Sequence, residues 1–114
     1  MPLIKMQTTN QISTDKQNDV MKKLSDIVSE CTGKPASYVM VTIEQTPIML
    51  AEKSGDAALF DIRGIGGLNQ NVNAALTNSL CEYCSANLNI PKERVYATFT
   101  DVPRSNWGWN GSTF

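Results

Sequence analysis

The chain has 114 residues, of which ten are basic and eleven acidic, giving a formal net charge of −1. With 41% hydrophobic and 18% charged residues, it suits one globular domain and offers no electrostatic footprint for nucleic acid or an anionic membrane. Histidine is absent, and cysteine occurs only at Cys31, Cys81 and Cys84. Ser-His-Asp triads, Cys-His pairs and His-based metal sites are therefore excluded, and a closed four-cysteine zinc site is out of reach. Neither metal nor organic cofactor is expected. Chemistry here must use carboxylates, lysines, tyrosines or a chain-terminal amine. No apolar run approaches the ~20 residues of a membrane span. Met1–Gln7 has no leader-like apolar stretch, and an odd cysteine count points to a reducing, cytoplasmic location.

Pro2–Thr8 reads as a short apolar strand. Thr14-Asp-Lys-Gln17 has the form of a capping box opening a helix. Val20, Met21, Leu24, Ile27, Val28 and Cys31 draw one apolar stripe along it. Gly33 is its stop, and Pro35 cannot continue it. Tyr38–Gln45 reads as a second strand and Ala57–Ile62 as a third. Gly64–Gly67 makes a turn, and Asn69 or Asn71 caps a helix carrying Val72, Leu76, Leu80, Tyr83 and Leu88. Pro91 precedes a fourth strand, Arg94–Thr100.

The two halves match at an offset of 56: Pro35 with Pro91, Val39 with Val95, Thr42 with Thr98 and Ile43 with Phe99. The same offset pairs Leu3 with Leu59, Ile4 with Phe60, and Leu24 with Leu80. The expected fold is one α+β domain over 1–114. A β-α-β unit is duplicated, with pseudo-repeats at about 2–45 and 57–101 and a tail at 102–114. Parallel right-handed crossovers make a four-stranded sheet with both helices on one face. The tail adds short C-terminal strands that pack on a neighbouring subunit. The sheet's other face is expected to show Val, Ile, Met and Phe, which further copies of the chain would cover. The element order also suits a ferredoxin-like ligand-binding domain, which would be a monomer or dimer.

Several positions carry possible chemistry. Removal of Met1 would free Pro2 as a secondary amine, and an apolar pocket would lower its pKa toward that of a general base. Lys34, between a helix stop and a proline, can hold a carboxylate or simply complement the helix C-terminus. The Gly64–Gly67 turn offers backbone N–H groups to an anion, but it is not a dinucleotide fingerprint because Asn69 occupies the third glycine position. Cys81-Glu-Tyr-Cys84 lies inside a helix, where buried packing is expected and not a thiolate. Asn110-Gly-Ser112 matches a glycosylation acceptor that a chain without a leader would not use.

Taken together, Met1-Pro2, Thr32-Gly-Lys-Pro35, Ile65-Gly-Gly67, Arg94-Val-Tyr96, Gly108-Trp-Asn110 and Ser112-Thr-Phe114 resemble the macrophage migration inhibitory factor family of the tautomerase superfamily, over essentially the whole chain. The resemblance implies a homotrimer with active sites at subunit interfaces. It also implies cofactor-independent keto–enol tautomerisation of aromatic 2-oxo acids such as phenylpyruvate. Pro2 would be the base and Lys34 the carboxylate anchor, joined by the Ile62 backbone N–H. Tyr38, Trp109 and Phe114 match the family's aromatic wall, and Tyr96 matches the tyrosine from the neighbouring subunit. Thr98 stands where the family has asparagine, and Asp61 where serine is usual. Ser54 and Ala57 replace the cysteines of the mammalian Cys-x-x-Cys, so thiol–disulfide activity is not expected. Phe60 and Trp107 also differ from the family's pocket rim, and Arg63 and Arg104 add arginines like those of proline-based dehalogenases and hydratases. The resemblance carries a second implication, a cytokine-like binding or signalling protein with a vestigial pocket, exported without a signal peptide.

Overall fold

A computed structural model describes residues 1–114. In chain order the elements are β1 (Pro2–Thr8), α1 (Thr14–Thr32), β2 (Met40–Gln45), β3 (Ala58–Gly64), α2 (Gln70–Asn87), β4 (Val95–Asp101), β5 (Gly108–Trp109) and β6 (Ser112–Thr113). The main sheet has the order β2-β1-β3-β4. Each helix joins two adjacent parallel strands, β1 to β2 and β3 to β4, and the two units meet where β1 and β3 run antiparallel. A ferredoxin-like fold instead inserts a strand between the helix-linked pair. The adjacency of the linked strands here excludes that alternative. No helix is long and apolar enough to cross a membrane.

The internal repeat is visible in which face each residue takes. Ile4 and Phe60 are both fully buried under the helices, as are Leu24 and Leu80 on the helices themselves. Met6 and Ile62 complete the sheet side of this core, against Val28, Leu76 and Cys84. Truncating such a residue to alanine costs about 2–5 kcal/mol, so this layer holds both halves together.

The far face of the sheet corrects the expectation of an apolar surface. By strand alternation and register, that face carries Lys5, Gln7, Thr42, Glu44, Asp61, Arg63, Thr98 and Thr100, with Leu3, Met40, Leu59 and Tyr96 among them. Val41, Ile43, Ala97 and Phe99 turn toward the helices instead. On both edge strands the alternation turns the apolar Val41, Ile43, Ala97 and Phe99 inward and leaves a mostly polar set outward.

Element ends also differ from expectation. β2 begins at Met40, because Ala36–Tyr38 forms a 3₁₀ turn in which the Tyr38 N–H donates to the Pro35 carbonyl at 3.1 Å. Lys92–Arg94 makes the same turn after Pro91, delaying β4 to Val95, and Arg104–Asn106 makes it a third time after Pro103. The strand β3 runs two residues past Ile62 to Gly64. The capping box is not formed: α1 is preceded by Ser13, which makes no side-chain cap bond. Gln17 Nε2 instead donates to the Ile12 carbonyl at 3.4 Å. On α2 the cap is Asn69, whose Oδ1 accepts from the Val72 N–H at 2.9 Å.

Candidate active site

The site lies at the sheet end where β1 starts and β3 and β4 finish, Pro2 standing opposite Gly64 and Gly64 opposite Asp101. Pro2 is buried there. The C-terminus of α1 delivers Lys34 to the same place. Gly33 adopts φ +74°, the left-handed conformation that ends a helix, and its N–H donates to the Ser29 carbonyl at 2.9 Å. Lys34 is then pinned on both sides, its N–H on Thr32 Oγ1 at 3.2 Å and its carbonyl receiving Ser29 Oγ at 2.6 Å.

The lysine side chain crosses the glycine turn. Its Nζ donates to the Ile65 carbonyl at 3.3 Å. A Cβ at Gly67 would stand 3.0 Å from Lys34 Cε, and Gly67 also has φ +77°. The backbone favours glycine there, and a Cβ would push the end of the Lys34 side chain aside. The turn is not an open anion cradle, because the Gly66 N–H already donates to Asp101 Oδ1 at 2.9 Å.

Pro2, Lys34, Ile62 and Gly64 line one narrow crevice, together with Thr32 and Leu68. It opens beside two larger hollows. One, of about 560 Å³, is walled by Pro2, Tyr38, Met40, Trp107 and Trp109. The other, of about 340 Å³, is walled by Lys34, Tyr38, Ile65, Arg104, Trp109 and Phe114. Met1 borders all three spaces. Burial first, then the Lys34 and Arg104 charges, lower the pKa of the amine that Met1 carries. A chain-terminal amine at this end of β1 therefore sits in a cationic, partly dry setting.

The aromatic wall is set by the tail. Asn110 at φ +51° and Gly111 at φ +82° form a two-residue reverse turn between β5 and β6. That turn folds Phe114 back onto Trp109, with ring centroids 5.9 Å apart and planes 10° from parallel. The Phe114 N–H donates to the Trp107 carbonyl at 3.3 Å.

Within one chain, Tyr96 and Thr98 do not join this group. Tyr96 pairs with Leu59, five positions before Gly64, which is roughly 17 Å along the strand. Thr98 lies on the sheet's far face, where its hydroxyl donates to Asp61 Oδ1 at 3.0 Å. Asp61 also receives Arg63 Nε at 3.4 Å. The Asp61 carboxylate thus faces away from the crevice that its neighbour Ile62 lines.

Arg104 is singled out in the sequence, with Arg63, through the resemblance alone, and its place in the aromatic hollow comes from the Pro103 turn. Cys84 is buried, which pushes its thiol up to about 12, and burial also raises the Cys81 thiol. Both shifts disfavour the thiolate.

A duplicated β-α-β sheet that brings a buried Pro2, a pinned Lys34 and an aromatic wall to one end has the fold of the tautomerase superfamily. The sequence pattern of the macrophage migration inhibitory factor family matches residues 1–114, and the chain belongs to that family. It is 34% identical to the macrophage migration inhibitory factor of Xenopus laevis, over 100% of this chain and 99% of that protein. Among solved structures, the homologue from Prochlorococcus marinus is 33% identical with a TM-score of 0.91, covering 98% of each chain. The Toxoplasma gondii protein is 29% identical with a TM-score of 0.93, over 98% of this chain and 99% of that one.

Proposed function

We propose that this chain is a cofactor-independent keto–enol tautomerase acting on aromatic 2-oxo acids such as phenylpyruvate. The observation that carries the reading is the meeting of Pro2, Lys34 and Ile62 in one crevice that opens onto an aromatic wall. Removal of Met1 leaves Pro2 as a free secondary amine. The burial and cationic charge that lower the Met1 amine's pKa act in the same direction on an amine one residue deeper. Neutral at physiological pH, that amine takes a proton from C3 of the substrate. Charge moves to the C2 carbonyl oxygen, which takes a proton from water, and the protonated amine returns its proton to the resulting hydroxide, completing the shift. Lys34 and the Ile62 N–H hold the carboxylate, while Tyr38, Trp109 and Phe114 hold the aromatic ring.

Tyr96 and Thr98 act in this scheme from a neighbouring copy, so the working unit is a homotrimer with sites between subunits. In support, both side chains project from the far face of the sheet, well away from their own Pro2. The bond from Thr98 to Asp61 leaves tyrosine as the stronger of the two donors toward a substrate.

The test is phenylpyruvate interconversion followed by ultraviolet absorbance, on protein whose mass shows a free Pro2, beside Pro2→Gly. The variant is expected to lose roughly a hundredfold or more in turnover. Equal turnover by the variant would overturn Pro2 as the base. No turnover by Met1-free, trimeric protein would favour the alternative, a cytokine-like binding protein.

A further inference from the structure

The chain has three arginines, and two of them are already engaged. Arg63 is held by Asp61, and Arg94 donates to the carbonyls of Leu50, Lys53 and Asp56. The chain's ion pairs are Arg63–Asp61 and Lys92–Glu82, and Arg104 belongs to neither. Arg104 sits in the 3₁₀ turn after Pro103 and lines the 340 Å³ hollow with Lys34, Trp109 and Phe114. No acidic side chain lines that hollow. Asp101, at the nearby end of β4, turns its carboxylate onto the Gly66 N–H.

A pocket of this size can enclose a small aromatic molecule. A single carboxylate needs only one of its two cations. We infer that Arg104 is a second anion anchor, and that the preferred substrates are aromatic 2-oxo acids bearing a further anionic group on the ring. This inference rests on the tautomerase reading for the first half of that molecule, the 2-oxo acid at Lys34. The guanidinium presents a planar fork that fits a ring carboxylate through two parallel bonds, which an ammonium at the same place cannot do. The stacked Trp109 and Phe114 rings supply the flat apolar surface for the body of the substrate. An unpaired guanidinium beside Lys34 also adds to the cationic field felt at the chain-terminal amine.

The experiment compares phenylpyruvate with 4-carboxyphenylpyruvate, which differ by one carboxylate. Equilibrium quenching of tryptophan fluorescence reads binding of each, using Met1-free protein, whether or not turnover occurs. The intact protein is expected to bind the dianion roughly tenfold more tightly. Arg104→Ala should bring the two affinities within about twofold of each other, and Arg104→Lys should restore only part of the gap. Lys22→Ala, which removes a charge from the exposed face of α1, should leave the gap intact. Equal binding of the two acids by the intact protein, or a preference that survives Arg104→Ala, overturns the inference. Phenylpyruvate turnover without a dianion preference would spare the tautomerase reading and sink this one. A dianion preference that Arg104→Ala abolishes, in a protein that turns over neither acid, would keep Arg104 as an anion anchor and sink both the tautomerase reading and the substrate assignment.

Discussion

Pro35 and Pro91 stand at matching places in the two repeats and build the same turn. Their backbone angles agree, φ −60° and ψ 139° against φ −59° and ψ 143°, and each carbonyl receives the N–H three residues on. What the turns carry is different. The first is flanked by Lys34 and Tyr38, which line the proposed site. The second is flanked by Ile90, which is fully buried, and by Arg94, whose guanidinium clasps three carbonyls of the loop between β2 and β3. A proline at the N-terminal position fixes the local backbone whatever its neighbours are. The duplicated scaffold is therefore free to spend one copy of the turn on chemistry and the other on holding a loop.

Substitutions on the two turns should separate those roles. Lys34→Ala removes the proposed carboxylate anchor, and KM for phenylpyruvate should rise by roughly tenfold or more. It also removes one of the charges that lower the pKa of the chain-terminal amine. Without Lys34 that pKa rises, the amine stays protonated to higher pH, and the acid limb of the pH–rate profile moves upward. An unmoved limb would show that burial and Arg104 set the base without Lys34. Arg94→Ala should do the opposite. Losing a charged donor from three carbonyls should cost about 2 kcal/mol in chemical denaturation, with turnover per folded molecule retained. A loss of turnover as large as that of Lys34→Ala would erase the division between the turns.

Much of this was legible in the sequence because the repeat is written in residue type. Apolar residues at a matching offset, such as Ile4 with Phe60, marked the core, and the stop at Gly33 needed only the left-handed backbone that glycine tolerates. The location of Lys34 was legible for the same reason, since a residue between that glycine and Pro35 has little freedom. Three features were not. The 3₁₀ turns delay the starts of β2 and β4, and local sequence gives them no periodicity to detect. The polarity of the far sheet face follows from register, which depends on how β1 meets β3 across more than fifty residues. Arg104 enters the pocket through the return path of the tail, a tertiary relation with no local signal.

The smallest expected effect concerns the starts of the two helices, where the repeats differ again. Asn69 Oδ1 accepts from the Val72 N–H at 2.9 Å, satisfying a donor that the first turn of α2 leaves open. Ser13 holds the equivalent place before α1 with extended backbone, φ −61° and ψ 154°, but contributes no side-chain bond. Asn69→Ala should therefore cost about 1 kcal/mol, and Ser13→Ala only a few tenths, both read from denaturation midpoints. The first helix can do without the bond because Val20, Leu24, Ile27 and Val28 bury a continuous stripe on the sheet, whereas α2 buries only Leu76, Leu80 and Cys84. Equal costs at the two caps would mean that Ser13 bonds its helix in solution, and that the difference between the two starts is one of rotamer and not of design.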